Sequence, residues 1–161
     1  WWALPMRSGS GLQEPGVVEL DDESLFSWAR TTLGAQYGFR SADAGTTWSA
    51  PEPTPLKSPC SPASIKRLPG SSDLLAVYND HSGAFPFPAN KRTPLVTAIS
   101  SDNGRTWAKH KVVEADPEGW YCYTAIHFVD DAVLLAYCAG DKTVGGLNRL
   151  RIRRLRLAEL R

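Results

Sequence analysis

The sequence is poor in the residues on which much biochemistry depends: of 161 residues, three are Cys, three are His and one is Met. Cys60, Cys122 and Cys138 show no C-x-x-C spacing, so no zinc finger or ribbon is encoded. Their odd number argues against a complete disulfide framework and leaves the compartment open. His81, His110 and His127 are scattered without ligand spacing and read as surface or strand residues; neither a metal nor another cofactor is expected. There is no run of about 18 apolar residues for a membrane-spanning helix. The opening Trp1-Trp2-Ala3-Leu4-Pro5-Met6 lacks both the charged and the apolar region of a signal peptide. A chain that begins on Trp-Trp without an initiating Met is expected to be a segment of a longer protein.

An excess of one charge is missing too, with 18 basic against 17 acidic side chains. Six of the Arg residues fall after Asn148, but they interleave with Leu150, Ile152, Leu155 and Leu157, as the two faces of a strand require. A nucleic-acid footprint gathers charge from several elements, so no nucleic-acid partner is expected. Apolar periodicity of 3.6 residues behind a helix cap is also absent, which leaves an all-β reading.

What the chain does have is repetition. Val17–Leu20 with Leu25–Trp28, Ser64–Leu68 with Leu74–Tyr78, and Thr124–Phe128 with Val133–Tyr137 form three pairs of strand-like runs. Each pair is split by turn formers: Asp21-Asp22-Glu23, Pro69 to Asp73, and Asp130-Asp131. An eight-residue pattern locks the register. Ser41-Ala42-Asp43-Ala44-Gly45-Thr46-Thr47-Trp48 and Ser100-Ser101-Asp102-Asn103-Gly104-Arg105-Thr106-Trp107 share S-x-D-x-G-x-T-W. Asp43 and Asp102 can accept backbone N–H bonds in a tight turn, Gly45 and Gly104 can take positive φ, and Trp48 and Trp107 can bury large rings behind it. Carboxylates repeated once per unit read as structural rather than catalytic or metal-binding.

The pattern resembles the Asp box of sialidases (neuraminidases) and related BNR-repeat β-propellers. A period near 50 residues with about four strands per unit fits a propeller blade. The resemblance implies one partial sialidase-type domain over residues 1–161, with blade-like repeats at about 12–57, 58–115 and 116–161. In a six-bladed family this is the C-terminal half. It also implies a parent glycoside hydrolase, an exo-sialidase acting on sialylated glycans with retention, of which this segment alone is inactive. Remaining blades or oligomeric contacts would then cover its open edges.

Sialic acid bears a carboxylate on the carbon under attack, which repels a carboxylate nucleophile. The family uses a Tyr nucleophile with a Glu that takes its proton, three Arg that clamp the substrate carboxylate, and an Asp acid/base; the Tyr nucleophile is an exception among two-carboxylate glycosidases. The resemblance places the activating Glu at Glu14 and a clamp Arg at Arg30, at opposite ends of a hairpin running from Leu12 to Arg30. Asn90 to Ser100 resembles the strand bearing the third clamp, here Arg92, with Lys91 and Arg40 as competing cations. Trp120-Tyr121-Cys122-Tyr123-Thr124-Ala125-Ile126 resembles the nucleophile stretch. Tyr123 fits the pattern better, yet Tyr121, two residues earlier, points to the same side of an extended strand and stays open.

Two further stretches bear on a glycan. The loop from Asn79 to Asn90, with Phe85-Pro86-Phe87-Pro88, could line a cleft; hydroxyls of Ser58-Pro59-Cys60-Ser61-Pro62-Ala63-Ser64 could face the sugar or form a rigid turn. The family's Phe/Tyr-Arg-Ile-Pro motif and its acid/base Asp do not occur in this sequence, and Asp43 and Asp102 do not replace the latter. The competing readings are a sialidase-like propeller that only binds glycans or proteins, and a hydrolase for another sugar on the same scaffold.

Overall fold

Alternating and continuous apolar runs become eleven strands in a computed structural model that describes residues 9 and 11–160. Trp1-Trp2 and Arg161 lie outside the described residues. The first sheet holds β1 (Gln13–Glu19), β2 (Leu25–Arg30), β3 (Ala35–Ser41) and β4 (Glu52–Lys57), in that order. The second holds β5 (Ser64–Arg67), β6 (Leu74–Asn79), β7 (Leu95–Ser100) and β8 (Ala108–Glu114), again in chain order. The third holds β9 (Trp120–Val129), β10 (Ala132–Gly140) and β11 (Leu150–Arg156), followed by a one-turn helix α1 (Leu157–Leu160). All strand pairs are antiparallel. The third sheet thus has three strands among the described residues where a blade-like repeat predicts about four.

The second sheet is the middle layer. Every residue of β6 and β7 is buried, which is why both read as unbroken apolar runs rather than alternating ones. On β6, Leu74, Ala76 and Tyr78 pack with Phe26, Trp28 and Leu56 of the first sheet. Leu75 and Val77 point the other way, to a core with Tyr121, Val133, Leu135 and Tyr137 of the third. Large-to-small changes in such a core cost about 2–5 kcal/mol.

The first strands of the three sheets lie beside one another, β1 next to β5 and β5 next to β9. Polar side chains of β5 stitch them together: Arg67 donates to the Glu19 carbonyl at 2.6 Å, Ser64 to the Thr124 carbonyl, and Lys66 to the Ile126 carbonyl at 3.2 Å. Three four-to-three-stranded sheets with their inner strands gathered side by side are three blades of a propeller.

The two S-x-D-x-G-x-T-W stretches fold into the same turn. Asp43 Oδ1 accepts the Thr47 N–H at 2.8 Å and its Oδ2 the Thr47 hydroxyl at 2.7 Å; Asp102 does the same for Thr106 at 2.8 and 2.6 Å. Ser41 and Ser100 each accept the N–H of the glycine four residues on, at 2.9 and 2.8 Å, and Gly45 and Gly104 hold φ of 85° and 77°. Hydrogen bonds from Thr47 and Ser41 hold the Asp43 carboxyl at a pKa of about 2. At Asp102 burial works upward, but bonds from Thr106, Ser100 and Arg105 prevail and the value is again about 2. Trp48 and Trp107 are only half-buried, Trp48 lying edge-on to Phe39.

Candidate functional site

The inner strands β1 and β9 each contain one surplus residue. Along β1 the pairing with β2 steps from Gln13↔Arg30 to Gly16↔Trp28, three residues against two. Along β9 the pairing with β10 steps from Cys122↔Cys138 to Ala125↔Ala136, again three against two. These are β-bulges, which bend a strand and re-aim a side chain. The residues that absorb them are Glu14 and Tyr123, at φ of 51° and 57°. Left-handed backbone at a non-glycine residue costs roughly 1–3 kcal/mol and persists only where the surroundings impose it. At β1 one imposing contact is plain: Trp28 lies so close over Gly16 that a Cβ there would fall 2.2 Å from the indole ring, and the Trp28 N–H is fixed on the Ala63 carbonyl at 2.9 Å.

The two bulges aim at one another. The Tyr123 hydroxyl donates to Glu14 Oε1 at 3.0 Å, across 109 residues of sequence. Arg30, at the end of β2, completes a fork on the same carboxylate, Nε to Oε2 at 2.7 Å and an NH2 to Oε1 at 3.2 Å. Burial works to raise the Glu14 pKa, but hydrogen bonds from Arg30 and Tyr123 and the charges of Arg30 and Arg92 outweigh it, and the carboxyl sits below its usual range. Burial likewise works against the Arg30 charge and is outweighed by Glu14 and Cys60, so Arg30 is held cationic more firmly than usual.

Arg92 comes from the loop ahead of β7. Its carbonyl accepts the Tyr121 N–H at 2.9 Å, tying that loop to the start of β9. Its guanidinium lies 5.2 Å from the Trp120 ring centroid and 5.5 Å from that of Tyr123. The four residues Glu14, Arg30, Arg92 and Tyr123 therefore come together on one side of the molecule. Of the competing cations, Arg40 turns away, donating to the Asn103 carbonyl at 2.7 Å over the Phe26 ring and bracing the first sheet to the second, whereas Lys91 lines the same cavity as Arg92.

Tyr121 and Tyr123 do not share a face, contrary to the alternation expected of an extended strand. The intervening bulge turns Tyr123 outward, 46% exposed, and leaves Tyr121 4% exposed and edge-on to Tyr137 in the core. The serines of the Ser58 stretch also point inward. Ser58 and Ser61 are buried, the first accepting from Gln36 at 2.8 Å and the second donating to Asn79 at 2.6 Å. What that turn offers the site is Cys60. Its carbonyl accepts from Arg30 at 3.3 Å and Arg92 at 3.4 Å, and its sulfur lies 3.0 Å from Arg30. The spacing of serines and prolines gave a rigid turn, and nothing in it marked a carbonyl as the shared anchor of two guanidiniums. Trp120, beneath Arg92, carried no signal beyond its place beside the tyrosines.

A cavity of about 490 Å³ adjoins the cluster and shares Arg92, Cys60 and Trp120 with it. The loop after β6 supplies its wall: His81 stacks on Phe87 at 4.1 Å and meets the Thr93 carbonyl at 3.1 Å. His110 lies edge-on to Tyr78, and His127 is exposed on β9. Among the described residues no three His, Cys, Asp or Glu side chains gather as a metal ion would need, and no helix is long and apolar enough to cross a membrane. Chemically, the cluster presents a phenol hydrogen-bonded to an ionised carboxylate, flanked by two guanidiniums.

A family model described as a BNR repeat-like domain matches residues 1–135. Comparison with curated protein sequences gives no match. Among solved structures, the chain is similar to the intramolecular trans-sialidase of Ruminococcus gnavus in complex with oseltamivir carboxylate, with a TM-score of 0.68 and 22% identity over 91% of this chain and 33% of that one. It is similar to the NanB sialidase of Streptococcus pneumoniae, with a TM-score of 0.69 and 19% identity over 92% of this chain and 24% of that one. It is also similar to the α-L-arabinofuranosidase Arb93A of Fusarium graminearum, with a TM-score of 0.63 and 15% identity over 92% and 46% of the two chains. The chain thus spans a quarter to a third of the two sialidase structures and under half of the arabinofuranosidase. What these likenesses share with it is the fold, a sialidase-type β-propeller of which three blades are present.

Proposed function

Because the chain belongs to the BNR repeat-like family and sets the Tyr123 hydroxyl on the Glu14 carboxylate, we propose that it is the C-terminal half of a glycoside hydrolase that removes terminal sialic acids with retention. The observation that carries this reading is the 3.0 Å bond between Tyr123 and Glu14, formed by two bulged strands of different sheets. A free phenol, with a reference pKa near 10, is a poor nucleophile at neutral pH. Here Glu14 takes the proton as the Tyr123 oxygen bonds to the anomeric carbon and the glycosidic C–O bond breaks. Water then attacks the glycosyl–tyrosine from the face the leaving group vacated, breaking the bond to the Tyr123 oxygen, and two inversions give retention.

The guanidiniums suit an anionic sugar. Arg92, over the Trp120 and Tyr123 rings and bonded to the Cys60 carbonyl at 3.4 Å, keeps donors for the substrate carboxylate. Arg30 is forked on Glu14 and bonded to Cys60, so it acts first as the group that keeps Glu14 ionised and only with its remaining N–H as a clamp. The two S-x-D-x-G-x-T-W turns are Asp boxes in this reading, with a structural role. The first clamp Arg and the acid/base Asp come from the rest of the parent protein, so the segment alone turns over negligibly.

The likeness to an arabinofuranosidase favours a second reading, a hydrolase of a neutral sugar. Turnover of aryl α-sialosides and aryl α-L-arabinofuranosides by the parent protein separates them, with the product anomer followed by NMR. The sialoside should be the substrate, released first as the α-anomer, and Tyr123→Phe should abolish it. Arabinofuranoside turnover without sialoside turnover contradicts the proposal, and no turnover of either replaces it with a glycan- or protein-binding propeller.

A further inference from the structure

Cys122 and Cys138 face each other as register partners on β9 and β10, one residue before the bulge that carries Tyr123. Directly opposed residues of an antiparallel pair have Cα atoms about 4.5–5.5 Å apart, inside the roughly 4.4–6.8 Å window that a disulfide spans. Neither cysteine is in a disulfide, Cys122 being buried and Cys138 half-buried. The Cys138 thiol and the Arg92 guanidinium are the polar side chains that act on the Cys122 thiol. The third cysteine, Cys60, sits on the other side of the site against Arg30.

We propose that Cys122 and Cys138 are a dithiol site that oxidises reversibly to a cross-strand disulfide beneath the candidate active site. A disulfide oxidant such as oxidised glutathione supplies the chemistry. The half-buried Cys138 thiolate attacks one glutathione sulfur and expels a glutathione thiolate; Cys122, losing its proton, then displaces the second glutathione. Two protein thiols become one disulfide, and their two electrons and two protons end on two glutathione thiols. Burial raises the Cys122 thiol's pKa, with the Arg92 contact opposing that rise, which suits Cys122 to the second, intramolecular step.

Closing the pair changes the site in two places. It takes the Cys122 thiol from Arg92, and it cross-links the ladder at the residue before Tyr123, whose left-handed backbone leaves little freedom to compensate. This effect on turnover rests on the sialidase reading above, whereas the dithiol chemistry does not.

The test is to equilibrate the parent protein in glutathione buffers from fully reduced to fully oxidised, quench with acid, alkylate and map the peptides. The expected result is one linked peptide joining residues 122 and 138, reversed by excess dithiothreitol and missing in Cys138→Ser. Sialoside turnover should fall by roughly a hundredfold on linkage, the scale of a misplacement near 1 Å, and Cys138→Ser should be insensitive to the buffer. Cys122 and Cys138 both alkylatable at every glutathione ratio, or a link that maps to Cys60, overturns the proposal. A link that leaves sialoside turnover unchanged overturns its coupling to the site. A link formed in a protein that hydrolyses no sialoside upholds the dithiol and removes the sialidase reading instead.

Discussion

Glu14 is where electrostatics and mechanism meet. Its carboxyl is held below the ordinary Glu range by Arg30 and Tyr123 despite burial, so it stays ionised, and able to accept the Tyr123 proton, to lower pH than a free Glu. With a depressed folded pKa, its stabilising contribution is fully present above the unfolded value near 4.5 and is lost as pH falls through the lower folded value. If the proposed mechanism holds, the acid limb of kcat/KM for the parent protein therefore lies below pH ~4.5. Arg30→Ala removes the fork, and the limb should move upward toward that value. An acid limb that does not respond to Arg30→Ala separates Glu14 from the proton transfer. Glu14→Gln, which keeps the shape but not the charge, should lower kcat by about 10²–10⁴ while leaving the thermal midpoint little changed, measured by steady-state kinetics beside calorimetry.

Elements show how sequence distributes its information. The continuous runs Leu74–Tyr78 and Leu95–Ile99 mark central strands because both faces are covered, and the two Asp-centred turns, whose hydrogen bonds are local in sequence, mark the connection from the third to the fourth strand of a sheet. Asp102→Ala should lower the thermal midpoint by a few degrees, since about 1 kcal/mol shifts a domain of this size by several °C. For both turns the carboxylate contribution is present above pH ~3.8 and is lost as pH falls through about 2. Acid unfolding followed by circular dichroism checks this; a midpoint for Asp102→Ala equal to the parent's from pH 7 down to 2 contradicts it. The bulges were illegible for the opposite reason. Nothing near Glu14 or Tyr123 signals an inserted residue, because register depends on the partner strand, and so Tyr121 stayed open beside the better-fitting Tyr123 until the pairing with β10 set them on different sides. Gly16 now explains part of it: Gly16→Ala should cost about 1–3 kcal/mol by overpacking against Trp28, read by urea unfolding, and should weaken turnover through the displaced bulge.

At the scale of the whole molecule, the third sheet ends in β11 with Leu150 and Ile152 68% and 63% exposed. On the opposite face of that strand, Arg151 and Arg153 engage the buried Glu114, and Arg151 reaches it at 2.6 Å. An apolar row on an unpaired outer strand invites association. The chain produced alone should associate with rising concentration in light scattering, and Ile152→Lys should suppress this; a monodisperse monomer at high concentration contradicts it. Leu155 lies instead against the core on the face of Arg151 and Arg153, and Leu157 begins α1, so the interleaved Arg and Leu residues read from the sequence do not sort onto separate faces.

The same scale holds the central claim, that strands 109 residues apart build a tyrosine nucleophile on a propeller with three blades in this chain. A sialosyl fluoride bearing a second fluorine next to the anomeric carbon forms the glycosyl–enzyme but slows its hydrolysis. Incubated with the parent protein and digested for peptide mass mapping, it should leave one sialosyl adduct on the Tyr123 oxygen, lost in Tyr123→Phe. Sialoside turnover with the adduct on Tyr121 or any other residue, or with no adduct formed, would contradict the account.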